Sequence, residues 1–326
     1  MRVSPPGRGA VGQTAAVTIV LVGPTASGKS ALALALAHRL TAEGRPAEIV
    51  NGDSMLVYRG MDIGTAKPTP AELAAVPHHL VDIYDIDRTA TVADFQRLAR
   101  ATIEDCRARS VVPIVVGGSA LYLRAIVDDF RFPGTDPVVR AGLEADLERL
   151  GPDELHRRLA AVDPAAAELI EARNGRRVVR ALEVIALTRE PYQAALPEHV
   201  AILPDVAMIG LDVDRPTLDQ RIADRVHAMW RQGFVEEVRQ LAARGLRDGV
   251  TASRGLGYRQ VLAYLDGEID EQRAITDTIT ATRRFARRQD GWFRRDPRIV
   301  WLPYDAPDLL SRALDAARRP SSAVED

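Results

Sequence analysis

Buried-type strands and helix-period segments take turns along the first third of the chain. Residues 17–22 form a short, continuous apolar run, and 30–40 place Ala and Leu at helical spacing. The pairing repeats with strand signals at 48–51 and 78–83, a helix from a Thr91 cap to about residue 109, a clear β run at 111–116, and a helix through 127. Such alternation indicates a parallel sheet with helices on both faces. From 128 to 205 only helical periodicity remains, at 136–150, 152–162, 163–173 and 176–188, with Asp163-Pro164 as a cap and first-turn pair. Residues 206–213 return to β, then helices are expected at 216–231, 234–244, 258–265 and 269–295 and a last strand at 299–302. The expected organisation is an α/β core at 17–127 and 206–303 with a helical C-terminal part, and an all-helical insertion at 128–205. A disordered start at 1–16 and a tail at 304–326, disordered from about Pro320, complete it.

The turn after the first strand carries the most specific chemistry. Gly23-Pro24-Thr25-Ala26-Ser27-Gly28-Lys29-Ser30 fits G-x-x-x-x-G-K-[ST] at every fixed position, between a strand and a helix as that pattern requires. The two glycines let the backbone turn tightly, so that successive N–H groups and the positive end of the following helix face one anion. Lys29 supplies a point charge to the outer phosphate, and the Ser30 hydroxyl is a natural Mg²⁺ ligand. The core is therefore expected to be P-loop NTPase-like. Ligands of such sheets sit at the carboxyl ends of strands, which directs attention to Asp53 and Ser119. Asp53 is placed to act as a general base or a metal ligand; a turn or cap aspartate is the alternative. The long loop at 55–70 mixes aromatic, basic and glycine residues, a composition that favours function.

Charge narrows the picture. The net charge of −2 excludes a globally basic nucleic-acid binder but not a local basic surface. Between 283 and 295, Arg283, Arg284, Arg287, Arg288, Arg294 and Arg295 recur at helical spacing, interleaved with Phe285, Trp292 and Phe293. Arginines on one face neutralise phosphates and aromatics offer stacking platforms, although a solvated helix face reads the same way. The clusters Arg176-Arg177-Val178-Val179-Arg180 and Arg254-Gly255-Leu256-Gly257-Tyr258-Arg259 move the balance towards nucleic acid. Arg221 and Arg225, i and i+4 on one helix face, could meet a diphosphate or form salt bridges. Lysine occurs only at 29 and 67, so its use in the phosphate loop is a choice against the arginine bias. Cys106 is the single cysteine and is read as core; the adjacent His78 and His79 point to opposite faces of an extended chain, so no shared metal is expected. No signal peptide or membrane-length apolar run is present in the sequence, and a cytoplasmic protein is expected.

Three strings carry a resemblance to a known family. Gly23 to Ser30, then Gly52-Asp53-Ser54-Met55-Leu56-Val57-Tyr58-Arg59-Gly60-Met61-Asp62-Ile63-Gly64-Thr65-Ala66-Lys67-Pro68, then Val116-Gly117-Gly118-Ser119-Ala120-Leu121-Tyr122 closely resemble the bacterial tRNA dimethylallyltransferase family. The likeness continues through Arg180-Ala181-Leu182-Glu183-Val184, Gly257-Tyr258-Arg259-Gln260 and Ala281-Thr282-Arg283. It implies transfer of a dimethylallyl group from dimethylallyl diphosphate to N6 of the adenosine immediately 3′ of the anticodon of tRNA, with Mg²⁺ as cofactor. In that reading Asp53 is the base, Lys29 and Arg225 neutralise the leaving diphosphate, and Ser119 stands where the family commonly has threonine. The tRNA contacts implied are Asp53, Ser54, Met55, Leu56 and Ser119 in the core, and Arg140, Arg176, Arg177 and Arg180 in the insertion. Arg254, Gly257, Tyr258, Arg259, Arg283, Arg287, Arg288, Gln289, Trp292 and Arg294 complete the set. A monomer is expected. A P-loop small-molecule kinase and prenyl transfer to free AMP are the competing readings; neither has a use for the arginine-rich C-terminal third.

Overall fold

The computed structural model describes residues 17–193 and 199–319. The stretches expected to be disordered, 1–16 and from Pro320 onward, lie outside the described residues. Two compact units divide the chain, Met1–Val127 with Ala201–Asp326, and Asp128–Val200.

The first unit opens with β1 (Thr18–Val22), α1 (Lys29–Ala42), β2 (Ala47–Asn51), α2 (Pro70–Ala75), β3 (His78–His79), α3 (Val92–Ala108), β4 (Val112–Val116) and α4 (Ala120–Val127). The second unit holds α5 (Pro137–Leu150), α6 (Pro152–Val162), α7 (Pro164–Leu169) and α8 (Gly175–Thr188). The chain then adds β5 (Val206–Asp212), α9 (Arg215–Arg231), α10 (Phe234–Ala243), α11 (Tyr258–Leu265), α12 (Glu271–Phe293), β6 (Ile299–Pro303) and α13 (Leu309–Ala317) to the first unit.

The six strands form one parallel sheet in the order β3-β2-β4-β1-β5-β6, with Ile19 of β1 opposite Ile114 on one side and Ala207 on the other. A strand buried on both faces is apolar at nearly every position, which is why 17–22, with Thr18 its one polar side chain, reads as an apolar run. Alternate residues go to opposite cores. Val20 and Val22 pack with Phe95, Ile103, Leu123 and Phe234, whereas Ile19 and Leu21 pack with Leu32, Leu36 and Leu40 of α1 and with Ala313, Leu314 and Ala317 of α13. The loops following β1, β2 and β4 leave the sheet at the same edge.

Three elements depart from expectation. The strand expected at 78–83 stops at His79 because Leu80 and Asp82 adopt left-handed backbone (φ 61° and 54°), which breaks the ladder; beyond them Tyr84 makes only an isolated bridge to Tyr58. The stretch after 303 contains a helix, α13, whose apolar residues complete the second core. The six-residue α2 buries nothing, yet its start is written in the sequence as a Thr69–Glu72 capping box. In the second unit, Leu155, Leu159, Ile170, Val178 and Val179 form a separate small core. No described helix is long and apolar enough to cross a membrane.

Candidate active site

The phosphate loop ends at Gly28, which caps α1 with φ 104° and no side-chain cap bond. The first-turn N–H groups of α1 therefore keep their donors available to an anion, as the helix dipole favours. Lys29 is 8% exposed, and its Nζ donates to Pro24 C=O (2.6 Å) and to Ser27 Oγ (3.4 Å). Burial pushes its pKa down to about 7; Arg225 adds to the shift and Asp53 opposes it. Ser30 is exposed at the mouth of the loop.

Asp53 follows β2 and is held by Asn51. The Asn51 side chain accepts from Asp53 N–H (2.7 Å) and donates to the carbonyls of Asp53 (2.9 Å) and Leu80 (3.0 Å). Asp53 Oδ1 accepts from Met55 N–H (2.9 Å). These bonds make Asp53 a turn residue and at the same time fix where its carboxylate points. Sequence reading missed Asn51, whose only signal is an amide at the end of a buried strand. Gly52 and Gly117 let β2 and β4 leave the sheet in backbone contact, since a Cβ on Gly117 would stand 2.4 Å from Gly52 C=O.

Two cavities meet here. One, of about 410 Å³, is lined by Gly28, Lys29, Ser30, Leu56, Arg221 and Gln289 among others; the second, of about 350 Å³, by Ser54, Met55, Ser119, Phe234, Arg254 and Arg288 among others. Thr25, Ala26, Asp53, Thr65 and Arg225 line both. Burial works against the Arg225 charge and Asp53 supports it. A carboxylate, a guanidinium and the Thr25-Ala26 part of the phosphate loop therefore share one boundary, with Lys29 on the first cavity's side of it.

The long loop is folded onto this boundary by Glu237, which pattern reading did not single out, with Tyr258 and Lys67. Glu237 of α10 accepts from the N–H groups of Asp62 (3.0 Å), Ile63 (2.6 Å) and Gly64 (3.3 Å), and from Tyr258 Oη (2.6 Å). Tyr258 is fully buried, with its ring edge-on to Phe234. Its hydroxyl serves the loop through Glu237, and the residue is part of the second cavity's wall. Lys67, the other lysine, donates to Tyr58 C=O (2.8 Å) and pairs with Asp62 and Asp82, clasping the loop shut.

The arginines divide by partner. Arg283 donates to the Asp219 carbonyl (3.0 Å). Arg294 pairs with Asp212 and Asp290 and stacks over Trp301 at 3.8 Å. Arg140 and Arg180 both pair with Glu183, which is fully buried, so within the second unit they hold α5 and the 133–135 turn to α8. Burial opposes the Glu183 carboxylate, but bonds from Arg140, Thr135 and Arg180 hold its pKa at about 2. By contrast Arg254, Arg259, Arg284, Arg287 and Arg288 are exposed, as is Arg176 in the second unit, and Trp292 is 40% exposed. Gln289, next to Arg288, is instead 4% exposed and faces inward.

Residues 56–296 match the family model described as IPP transferase. The chain belongs to the IPP transferase family. It is 61% identical to the tRNA dimethylallyltransferase of Thermobifida fusca, over 90% of this chain and 92% of the relative, and 58% identical to that of Kineococcus radiotolerans, over 95% and 96%. Among solved structures it is similar to the full-length tRNA isopentenylpyrophosphate transferase of Bacillus halodurans, at 38% identity, a TM-score of 0.66, and coverage of 93% of this chain and 94% of that one. A eukaryotic dimethylallyltransferase acting on tRNA, 24% identical, shares the fold with a TM-score of 0.78 over 94% of this chain and 81% of that one.

Family membership sharpens the question of metals. Among the described residues the one grouping of three metal-capable side chains is Glu48, His79 and Cys106. There Arg109 holds Glu48 by two bonds (2.9 and 2.8 Å), His79 Nε2 contacts the same carboxylate at 2.7 Å, and the Cys106 thiol is pushed up to about 12 by burial and Glu48. A carboxylate already saturated by a guanidinium is an ion-pair hub and a poor cation site. At the phosphate loop the donors are the Ser30 hydroxyl and the Asp53 carboxylate, a hard and sparse oxygen set. That set fits Mg²⁺, which takes one or two protein groups and completes its shell with phosphate and water.

Proposed function

We propose that the protein transfers a dimethylallyl group from dimethylallyl diphosphate to N6 of the adenosine immediately 3′ of the anticodon in tRNA, releasing diphosphate. The observation that carries this reading is the boundary shared by the two cavities, where Asp53, Arg225 and the phosphate loop meet. The phosphate loop and Lys29 take the diphosphate in the first cavity; the adenine, turned out of the anticodon loop at a cost of a few kcal/mol, enters the second. Membership in the IPP transferase family favours this over a small-molecule kinase.

An exocyclic adenine amine is a weak nucleophile because its lone pair is delocalised into the ring. N6 attacks the allylic carbon, the carbon–oxygen bond breaks with its electrons going to the diphosphate, and Asp53 takes the N6 proton. A positioned base contributes about 10²- to 10⁴-fold. Lys29, Arg225 and the N–H groups at the start of α1 neutralise the leaving group. With Asp53 serving as the base, Ser30 would hold Mg²⁺, and the ion would supply further charge neutralisation to the diphosphate. Ser119 keeps a hydroxyl beside the reacting centre. The exposed arginines at 254, 259, 287 and 288 offer phosphate contacts, Trp292 a stacking surface, and Arg176 a contact from the second unit. The protein acts as a cytoplasmic monomer.

Labelled dimethylallyl diphosphate should transfer its label to unmodified tRNA whose anticodon ends in adenine and is followed by adenosines. Label on AMP alone, or ATP hydrolysis or phosphoryl transfer as the sole activity, would contradict the reading.

A further inference from the structure

Gln289 sits one residue past two exposed arginines, on the buried side of α12 between Ala286 and Phe293. A carboxamide at a core position of a helix needs partners for both of its ends. Gln289 finds them on two different elements of the cleft. Its Oε1 accepts from Thr25 N–H at 2.9 Å, and its Nε2 donates to Gly118 C=O at 2.8 Å. The approach is close: a Cβ on Gly118 would stand 2.4 Å from Nε2. The opposite side of the same loop peptide is also held, because Pro24 C=O accepts from Lys29 Nζ at 2.6 Å. The Pro24–Thr25 peptide plane is therefore gripped by Gln289 at its N–H and by Lys29 at its C=O. Turning that peptide away from Gln289 would move the carbonyl to which the lysine is bonded. A side chain engaged in this way at both its oxygen and its nitrogen is badly placed to read RNA.

We propose that Gln289 is a positioning residue that ties α12, whose exposed face carries Arg284, Arg287 and Arg288, to the Pro24–Thr25 peptide and so sets Lys29, coupling RNA on the helix to diphosphate affinity in the loop. The proposal rests on the reading that tRNA and a prenyl diphosphate are the two ligands. Coupling of this kind is reciprocal, so each ligand tightens the other by the same factor.

The test uses inorganic pyrophosphate as probe, titrated by calorimetry with and without an anticodon stem-loop RNA, alongside kcat and KM for dimethylallyl diphosphate. Gln289→Met keeps the volume and removes both bonds. It should weaken pyrophosphate binding about tenfold and raise KM by a similar factor, leave kcat and RNA affinity within about twofold, and abolish the gain in pyrophosphate affinity that RNA confers. Gly118→Ala displaces the amide from the other side and should cause the same loss, with the double variant no worse than either single one. A tenfold loss of RNA affinity with pyrophosphate binding unchanged would make Gln289 an RNA contact and overturn the proposal, as would a wild-type protein whose pyrophosphate affinity ignores the RNA. Should the variants fail to fold, amide hydrogen exchange on the wild type decides: slow exchange at Thr25 supports the brace, and exchange at the rate of an open loop refutes it. Pyrophosphate binding requires no prenyl transfer, so a wild-type protein that left the RNA unprenylated would count against the function and leave the Gln289 measurement standing.

Discussion

At the scale of single residues, the proposed reaction rests on Lys29 and Asp53. An ammonium with a pKa of about 7, against an ordinary 10.5, is largely neutral in the free protein above pH 7. The unfolded chain binds more protons than the folded one between those values, so this group's contribution to stability grows as pH rises through that window. Binding runs the other way, because a diphosphate needs the charged form. Above pH 7 pyrophosphate should bind with uptake of one proton, and its affinity should fall towards tenfold for each further pH unit. Calorimetry in buffers of different ionisation enthalpy reads the proton directly, and Lys29→Met should remove it. For Asp53, replacement by asparagine retains an oxygen for Met55 N–H and removes the base. Turnover should fall by about 10² or more with tRNA affinity unchanged; loss of affinity at undiminished single-turnover rate would assign Asp53 to positioning.

Among elements, α5 and the 133–135 segment are tied to α8 by one buried charge. Glu183 gathers Arg140, Arg180 and Thr135, and removing it takes from two part-exposed arginines the partner they share. Glu183→Leu removes the carboxylate and strands the two arginines, so the second unit should melt earlier, as followed by circular dichroism. The carboxylate's depressed pKa, about 2 against an ordinary 4.5, stabilises fully above pH 4.5 and is lost as pH falls towards 2. That acid-sensitive component should be missing in the variant. Arg180 stands in a sequence cluster that reads equally well as an RNA contact. The partner that Arg140 finds in Glu183 lies 43 residues away, and helix-period reading carries no information at that separation.

For the molecule as a whole, a net charge of −2 coexists with a local basic surface because many of the arginines are neutralised in place. Arg294, Arg109 and Arg247 pair with carboxylates at the surface, while Arg284, Arg287 and Arg288 are exposed together on α12. Substituting Arg287 and Arg288 together by alanine should weaken tRNA binding and lower the slope of log affinity against log salt by about 1–2. Unchanged affinity and slope in a filter-binding or fluorescence titration would return both to an ordinary solvated face.

By itself the sequence determined what local rules can express. The strand-loop-helix around Gly23 to Ser30, the alternation that builds a parallel sheet, the helical insertion and the family resemblance all rest on neighbours within a few residues or on strings quoted whole. Tertiary structure alone decided which polar groups are occupied. Gln289 meets Thr25 across 264 positions, Glu237 meets the 62–64 loop across about 175, and the strand expected beyond His79 is lost to left-handed turns. The physical reason is that periodicity states which side of an element is buried, whereas a hydrogen bond or ion pair depends on what the fold brings to that side. The phosphate loop was legible because its own backbone makes the site; the brace that holds it comes from the far end of the chain.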